Sequence, residues 1–362
     1  MASPPDLKIP SSSTTVQVRI IDTTSQINDG IRAEGFFSPV TPGFEMLHAP
    51  SYSFLIEHSS GRKFLFDLGV RKDHENFAPR IAEMLNGCDI QVEKGVREQL
   101  EEHGIDGQDI EAIIWSHWHF DHIGDPSTFP PSTALIVGPG FTDAFTPAYP
   151  TKQDSPLLDS DFEGRELKEV SFESGLKIGR LNALDLLGDG SFYLLDSPGH
   201  AIGHLCGLAR VTSGAEGSSF IFMGGDAAHH GGELRPTEYL PLPAFIQPNP
   251  FNRRSRNPCP GAVVEHLLRD GDRTKPFYEV ASKEDGSQVA HDVKEAQNTI
   301  NKIQEADARD EIFVVLAHDE SLLDVVDFFP KYANDFVQKG WVQEGRWLFL
   351  KDFEAAREQS GA

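Results

Sequence analysis

The segment IIWSHWHFDHIGD, Ile113 to Asp125, constrains this chain more than any other stretch. It follows a short apolar run with His117, His119, Asp121 and His122, all inside six residues. Imidazoles and carboxylates at that density cannot all be core residues, because a buried charge without a partner is very costly. A strand ending near Ser116 sets His117 and His119 on one side of the chain that follows, since alternate residues of extended backbone point the same way. Asp121 and His122 then face a second point in space. Neutral imidazole and carboxylate oxygen are ordinary zinc ligands, and a zinc site takes about four of them. Two groups on one loop suit two metal ions, and one loop cannot complete both shells.

Further ligands are available downstream, each just past an apolar strand. FYLLDSPGHAIGH offers His200 after a Pro-Gly turn, FIFMGGDAAHH offers Asp226, and IFVVLAHDE offers His318. Strand ends are where open sheets carry functional residues. Other strands are predicted at VQVRII, YSFLIEH, KFLFDLG, ALIVG and LCGLARV, and helices at FAPRIAEML and VREQLEEHG. Val289, Val293, Ala296, Ile300 and Ile303 recur at helical spacing and predict one amphipathic helix. Strands and helices come in two similar batches, which predicts two layered halves. Residues 1–15, rich in Pro, Ser and Thr, read as a loose arm. Residues 16–362 read as one domain with a Pro- and aromatic-rich insertion at about 231–262, a kind of long irregular segment that is usually functional or disordered.

HxHxDH followed by a histidine, an aspartate and a histidine resembles the signature of the metallo-β-lactamase superfamily, over roughly Val16 to Phe353. The resemblance implies an α/β fold, the four-layer αββα sandwich. It also implies that His117, His119 and His200 hold one metal, that Asp121, His122 and His318 hold a second, and that Asp226 bridges the two. His119 stands where the flavodiiron branch has a glutamate. Asp226 is not the cysteine of the antibiotic-resistance enzymes, and His122 is present. The remaining likeness is to the quorum-quenching lactonase branch and to fungal hydrolases that open lactams and lactones, benzoxazolinone-type rings among them. One position departs: bacterial lactonases carry a tyrosine three residues past the bridging aspartate, where this chain has His229.

What the resemblance implies is hydrolysis of a small cyclic ester or amide. The expected cofactors are two divalent ions, zinc first, with iron or manganese as alternatives. A water shared between zinc ions is hydroxide near neutral pH, because zinc lowers the pKa of bound water to about 7. Asp121 is expected to shuttle a proton to the leaving group, and His229 to donate to the developing oxyanion. Asp67 in LFDLG and His204 are expected to support the ligands from behind. Phe36, Phe37, Phe44 and Met46, with Phe245 and Phe251 of the insertion, are expected to wall an apolar substrate pocket. His230 is read as a solvated neighbour, and Cys206 as a small buried apolar residue.

Composition narrows the partners. A formal net charge of −24 repels polyanions, so nucleic acid and anionic membrane are excluded, leaving a small lactone or lactam. Cys88, Cys206 and Cys259 make neither a disulfide framework nor a CxxC zinc motif. MASPPDLKIPSSSTT lacks the apolar core of a secretory signal, and no run of about 18 apolar residues is present, so the cytoplasm is the expected compartment. Two rivals are weaker. A thioesterase acting on an acidic acyl carrier protein would want a basic rim. A non-catalytic ligand sensor would have no need for the full set of metal ligands.

Overall fold

Two six-stranded sheets carry the fold, and their strands succeed one another in chain order. The structure, a computed structural model, describes residues 2–27, 31–215 and 217–359. In the first sheet Val16–Asp22, Tyr52–His58 and Lys63–Phe66 pair antiparallel. Ile110–Ile114, Ala134–Val137 and Leu167–Glu169 then add in parallel. The second sheet meanders antiparallel through Lys177–Ile178, Leu181–Asp185, Phe192–Asp196, Leu205–Gly214 and Gly217–Met223. Ile312–Val315 joins its edge in parallel, delivered by the crossover helix Val293–Asp307.

The strand period of two sorts the apolar residues between layers. Ala112 and Ile114 point between the sheets, where they share a core with Phe192, Leu194, Ile221 and Met223. Ile113 points outward and is covered by Val96 and Leu100 of the helix Val96–Glu102. On the far side Cys206, Leu208 and Phe222 meet Ala296, Ile300 and Ile303 of the crossover helix. Helix, sheet, sheet and helix make the αββα sandwich. Each such side chain contributes about 1.5–3 kcal/mol on burial, against about 1 kcal/mol or less for an exposed ion pair. The layers are therefore held by the apolar pattern and not by the surface charge.

Two expectations are corrected. The crossover helix begins at Val293, not at Val289, because Asp292 caps it: its Oδ1 accepts the Glu295 N–H at 2.9 Å. Val289 lies upstream and donates its N–H to Gly35 O at 2.8 Å. Residues 2–15 are not a loose arm. Leu7 is buried against the second sheet's outer core, and its carbonyl accepts the Gly179 N–H at 2.6 Å. Arg210 donates to Pro10 O at 2.5 Å. Prolines lack an N–H to satisfy but keep a carbonyl for arginine to bind, so a Pro-rich segment can be tied down without a strand partner. The insertion has structure of its own. It opens with the helix Gly231–Leu234, pairs Phe245–Ile246 with Cys259–Pro260, and builds a further core with Phe37, Tyr278, Trp347, Phe349 and Phe353. No helix among the described residues is long and apolar enough to cross a membrane.

The topology gathers strand ends. Phe192–Asp196 and Gly217–Met223 both run antiparallel to Leu205–Gly214, so their C-terminal ends share one edge with that of Ile312–Val315. The end of Ile110–Ile114 meets this edge from the first sheet, where Leu205 donates its N–H to Ser116 O at 2.7 Å. Gly199 lets the crossover helix dock there. Its φ is +125°, and a Cβ would stand 2.0 Å from Ala296 N. The Asp292 N–H also reaches Gly199 O at 2.8 Å. Gly199→Ala should cost about 3 kcal/mol or more, the range of strained backbone and overpacking. Thermal denaturation checks this, and an unchanged Tm would mean that the helix start yields freely.

Candidate metal centre

At this edge seven side chains converge in two groups. His117, His119, His200 and Asp226 form one, and Asp121, His122 and His318 the other. Within each group one ligand atom per residue lies within 4.8 Å of all the others. In the first group His200 Nε2 lies 3.2 Å from His117 Nε2 and 3.0 Å from His119 Nδ1. Asp226 faces both groups. Its Oδ2 is 3.5 Å from His200 Nε2 and 3.8 Å from His117 Nε2. Its Oδ1 is 3.0 Å from His122 Nε2 and 3.1 Å from His318 Nε2. Asp121 Oδ2 is 3.4 Å from His318 Nε2.

Surrounding groups fix how these rings are turned. Asp67 sits behind the cluster, fully buried, in left-handed backbone at φ +60°. It accepts the Ser116 N–H at 2.6 Å, the Ser116 hydroxyl at 2.7 Å and His122 Nδ1 at 2.9 Å. His318 Nδ1 donates to Pro50 O at 2.6 Å. A carboxylate or a carbonyl only accepts here, so both rings carry a proton on Nδ1 and turn Nε2 to the cluster. His204 is held the same way by Ser197 O at 3.0 Å, and its Nε2 accepts the Asp226 N–H at 3.1 Å. It supports the backbone of Asp226 and stands outside both groups of ligand atoms.

The electrostatics divide the imidazoles into two kinds. Burial, then the neighbouring imidazoles, holds His117 well below the ordinary histidine range. Burial likewise lowers His119 to about 4 and His200 well below its usual value. These three rings are neutral, the form that ligates. Burial works against charge on His122 and His318 too, but Asp226 and the nearby carboxylates outweigh it and raise both. Asp226 stays ionised well below the carboxylate range, because His122 and His318 override its burial. His122 Nε2 and Asp226 Oδ1 face each other, buried, across 3.0 Å. A divalent cation in place of those protons satisfies the ring nitrogens and the carboxylates together, and the two groups of ligand atoms fit a divalent-metal site of histidine and aspartate.

A cavity of about 660 Å³ ends on Asp121, Asp226, His229 and His318. His229 turns into it, with Nε2 3.2 Å from Asp226 Oδ2. Phe36 and Phe44 line the cavity, together with Ile27, Leu47 and Met84. The other expected wall residues do not. Phe37 is wholly buried and stacks on Tyr278 at 4.3 Å. Met46 borders a separate groove beside Asp352, and Phe245 is 66% exposed. Phe251 packs into the insertion's own core. The insertion folds onto the C-terminal segment and turns its aromatics there, so the N-terminal loop alone supplies the expected aromatic wall. His230 is buried, not solvated: its Nδ1 accepts the Gly232 N–H at 3.0 Å, and its Nε2 lies 3.2 Å from Asp352 Oδ2. Trp118 also lines the cavity, a role that sequence reasoning missed. The available signal was its position between His117 and His119, which turns it away from where they face.

A profile of the metallo-beta-lactamase superfamily matches residues 48–213. The chain is 45% identical over 365 residues to gamma-lactamase FDB1 of Fusarium pseudograminearum, across 98% of this chain and 87% of that one. It is 46% identical over 363 residues to metallo-hydrolase mfmC of Annulohypoxylon moriforme, across 98% and 91% of the two chains. Among solved structures, a quorum-quenching N-acyl homoserine lactone lactonase superposes with a TM-score of 0.56 at 17% identity, covering 89% of this chain and all of that one. The chain belongs to the metallo-β-lactamase superfamily. It is a metal-dependent hydrolase.

Asp67→Asn tests the support behind the ligands. Asparagine tolerates left-handed backbone, but its single oxygen cannot accept all three donors. Metal affinity should fall about 10–100-fold, measured by titration against a competing chelator. Unchanged affinity would make Asp67 a turn residue only.

Proposed function

We propose that this chain opens a small cyclic amide, a γ-lactam in the first place, with lactones as the second substrate class and benzoxazolinone-type rings within reach. The observation that carries the reading is the apolar cavity ending on the histidine and aspartate cluster. Its volume lies within the range of small-molecule sites, and its apolar walls share the lining with the histidines and aspartates of the floor and with Arg32, Arg80 and Glu320. The relative named a gamma-lactamase, similar along nearly the whole chain, supports the lactam. The lactonase of like fold supports the lactone only through the shared scaffold.

In this reading His117, His119 and His200 would hold one divalent ion, and Asp121, His122 and His318 a second, with Asp226 between them. Zinc suits the nitrogen and oxygen donor set first, iron or manganese next. When bound, the ions supply Lewis-acid polarisation and acidify a water to a pKa of about 7. The protein's own groups do the rest. Phe36, Phe44 and Trp118 hold the ring and exclude bulk water. His229 turns an imidazole N–H toward the carbonyl oxygen, where negative charge develops. Asp121, at the cavity floor, carries a proton at its carboxylate to the leaving nitrogen or oxygen.

Elemental analysis of protein purified without chelator should find roughly two divalent ions per chain, as two ligand groups require. A reproducible value near one with full activity would defeat the two-ion reading. On a panel of γ-lactams and γ-lactones, chelator should abolish hydrolysis. His229→Ala should lower kcat about 10²–10³-fold, the usual loss for one oxyanion donor, with metal content unchanged. Phe36→Ala should instead raise KM, as loss of uniform binding does. If His229→Ala loses metal, the residue is a ligand; if kcat is untouched, it is a bystander.

A further inference from the structure

The stretch from Asp226 to Thr237 is buried throughout, so each of its backbone N–H groups needs a partner inside the protein. Regular structure cannot supply the first of them, because the strand Gly217–Met223 has ended and the helix Gly231–Leu234 has not begun. Two side chains stand in. His204 Nε2 accepts from the Asp226 N–H at 3.1 Å. Glu233 Oε2 accepts from the His229 N–H at 2.6 Å and from the His230 N–H at 3.1 Å. Glu233 is 1% exposed, and burial raises its carboxyl above the usual range. Glutamate is among the side chains least often buried in this way.

Helix capping explains only part of this. A glutamate at the third helical position commonly reaches back to the N-cap N–H, which here is the 3.1 Å bond to His230. The shorter bond goes one residue further, to His229, outside the helix altogether. His229 is the residue whose imidazole enters the cavity beside Asp226. We propose that Glu233 is the positioning residue of this site: its buried carboxylate clamps the His229 backbone and so fixes where the His229 imidazole meets the substrate. The proposal rests on the role given to His229 above. Glu233 touches no reacting atom and acts only through its neighbour.

Two properties separate a clamp from general support. The clamp needs an acceptor oxygen at full side-chain length, and its loss matters only while His229 is present. Glu233→Ala removes the acceptor. Glu233→Asp keeps the charge but withdraws it by one methylene, and serves if the alanine variant does not fold. Glu233→Gln keeps one oxygen at the original reach. Misplacement of a reacting group by about 1 Å can cost about 10²-fold in rate. The alanine and aspartate variants should therefore lose about 10²-fold in kcat, with KM and metal content unchanged. The glutamine variant should stay within about 5-fold of the parent, as a retained hydrogen bond predicts. In a His229→Ala background, Glu233→Ala should add less than about 3-fold, because residues acting as a unit are not additive. Hydrogen exchange at the His229 amide should speed up in the alanine and aspartate variants. Retained kcat, a full further loss without His229, activity falling only in step with metal, or unchanged amide exchange each overturns the proposal. Should the parent protein hydrolyse nothing on the lactam and lactone panel, the functional reading fails, and the amide exchange still decides whether the clamp exists.

Discussion

Everything at the strand edge turns on one buried carboxylate. Asp226 presents Oδ2 to one group of imidazoles and Oδ1 to the other. An ionised carboxylate removed from water is tolerated only where positive charge and hydrogen bonds surround it. That requirement explains why four strands from two sheets end at the same place, and why Ser116 O ties the sheets together there. It also explains the division among the histidines. Rings deepest in the cluster resist protonation, while those beside several carboxylates favour it.

Behind this carboxylate, rigidity is imposed by groups that never face the cavity. Asp67, Pro50 O and Ser197 O each bind an imidazole from behind and so fix how it is turned. Asp67 does this from left-handed backbone, a conformation of order 1–3 kcal/mol above the ordinary basins that persists only where surroundings over-determine it. Its three hydrogen bonds are that surrounding. On the cavity side the aromatic core of the insertion, the N-terminal loop and the C-terminal segment does comparable work. It encloses His230 and seats the loop that carries Phe36 and Phe44.

The layered fold and the cluster were readable because both are written in local patterns. Alternating apolar strands announce two faces, and His117, His119, Asp121 and His122 concentrate their chemistry in one short motif. His200, Asp226 and His318 shared a common setting after apolar strands, which made them recognisable at a distance. The pocket was not readable in the same way. Phe245 and Phe36 look alike in a sequence, yet one is 66% exposed and the other lines the cavity. Which way a loop aromatic turns depends on what folds against it, here the segment around Trp347 to Phe353. Glu233 escaped notice because its partners are backbone N–H groups, which leave no mark on composition. The anchoring of the N-terminal arm is hidden for the same reason: proline carbonyls bound by arginine have no sequence periodicity.

The parallel edge strand Ile312–Val315 has a consequence for how the centre comes into being. Its pairing with Gly217–Met223 spans the whole insertion and the crossover helix, a non-local contact of the slow-forming kind. Just past this strand the Ala317 N–H reaches Gly225 O at 3.1 Å, and His318 comes next, so the last imidazole arrives only when the strand docks. His117, His119, His200 and Asp226 all lie within the first 226 residues, whereas Asp121 and His122 share their group with His318. The two halves of the centre thus differ in how far along the chain their ligands are spread: one draws them from the first 226 residues, the other closes a loop of nearly 200 residues between His122 and His318.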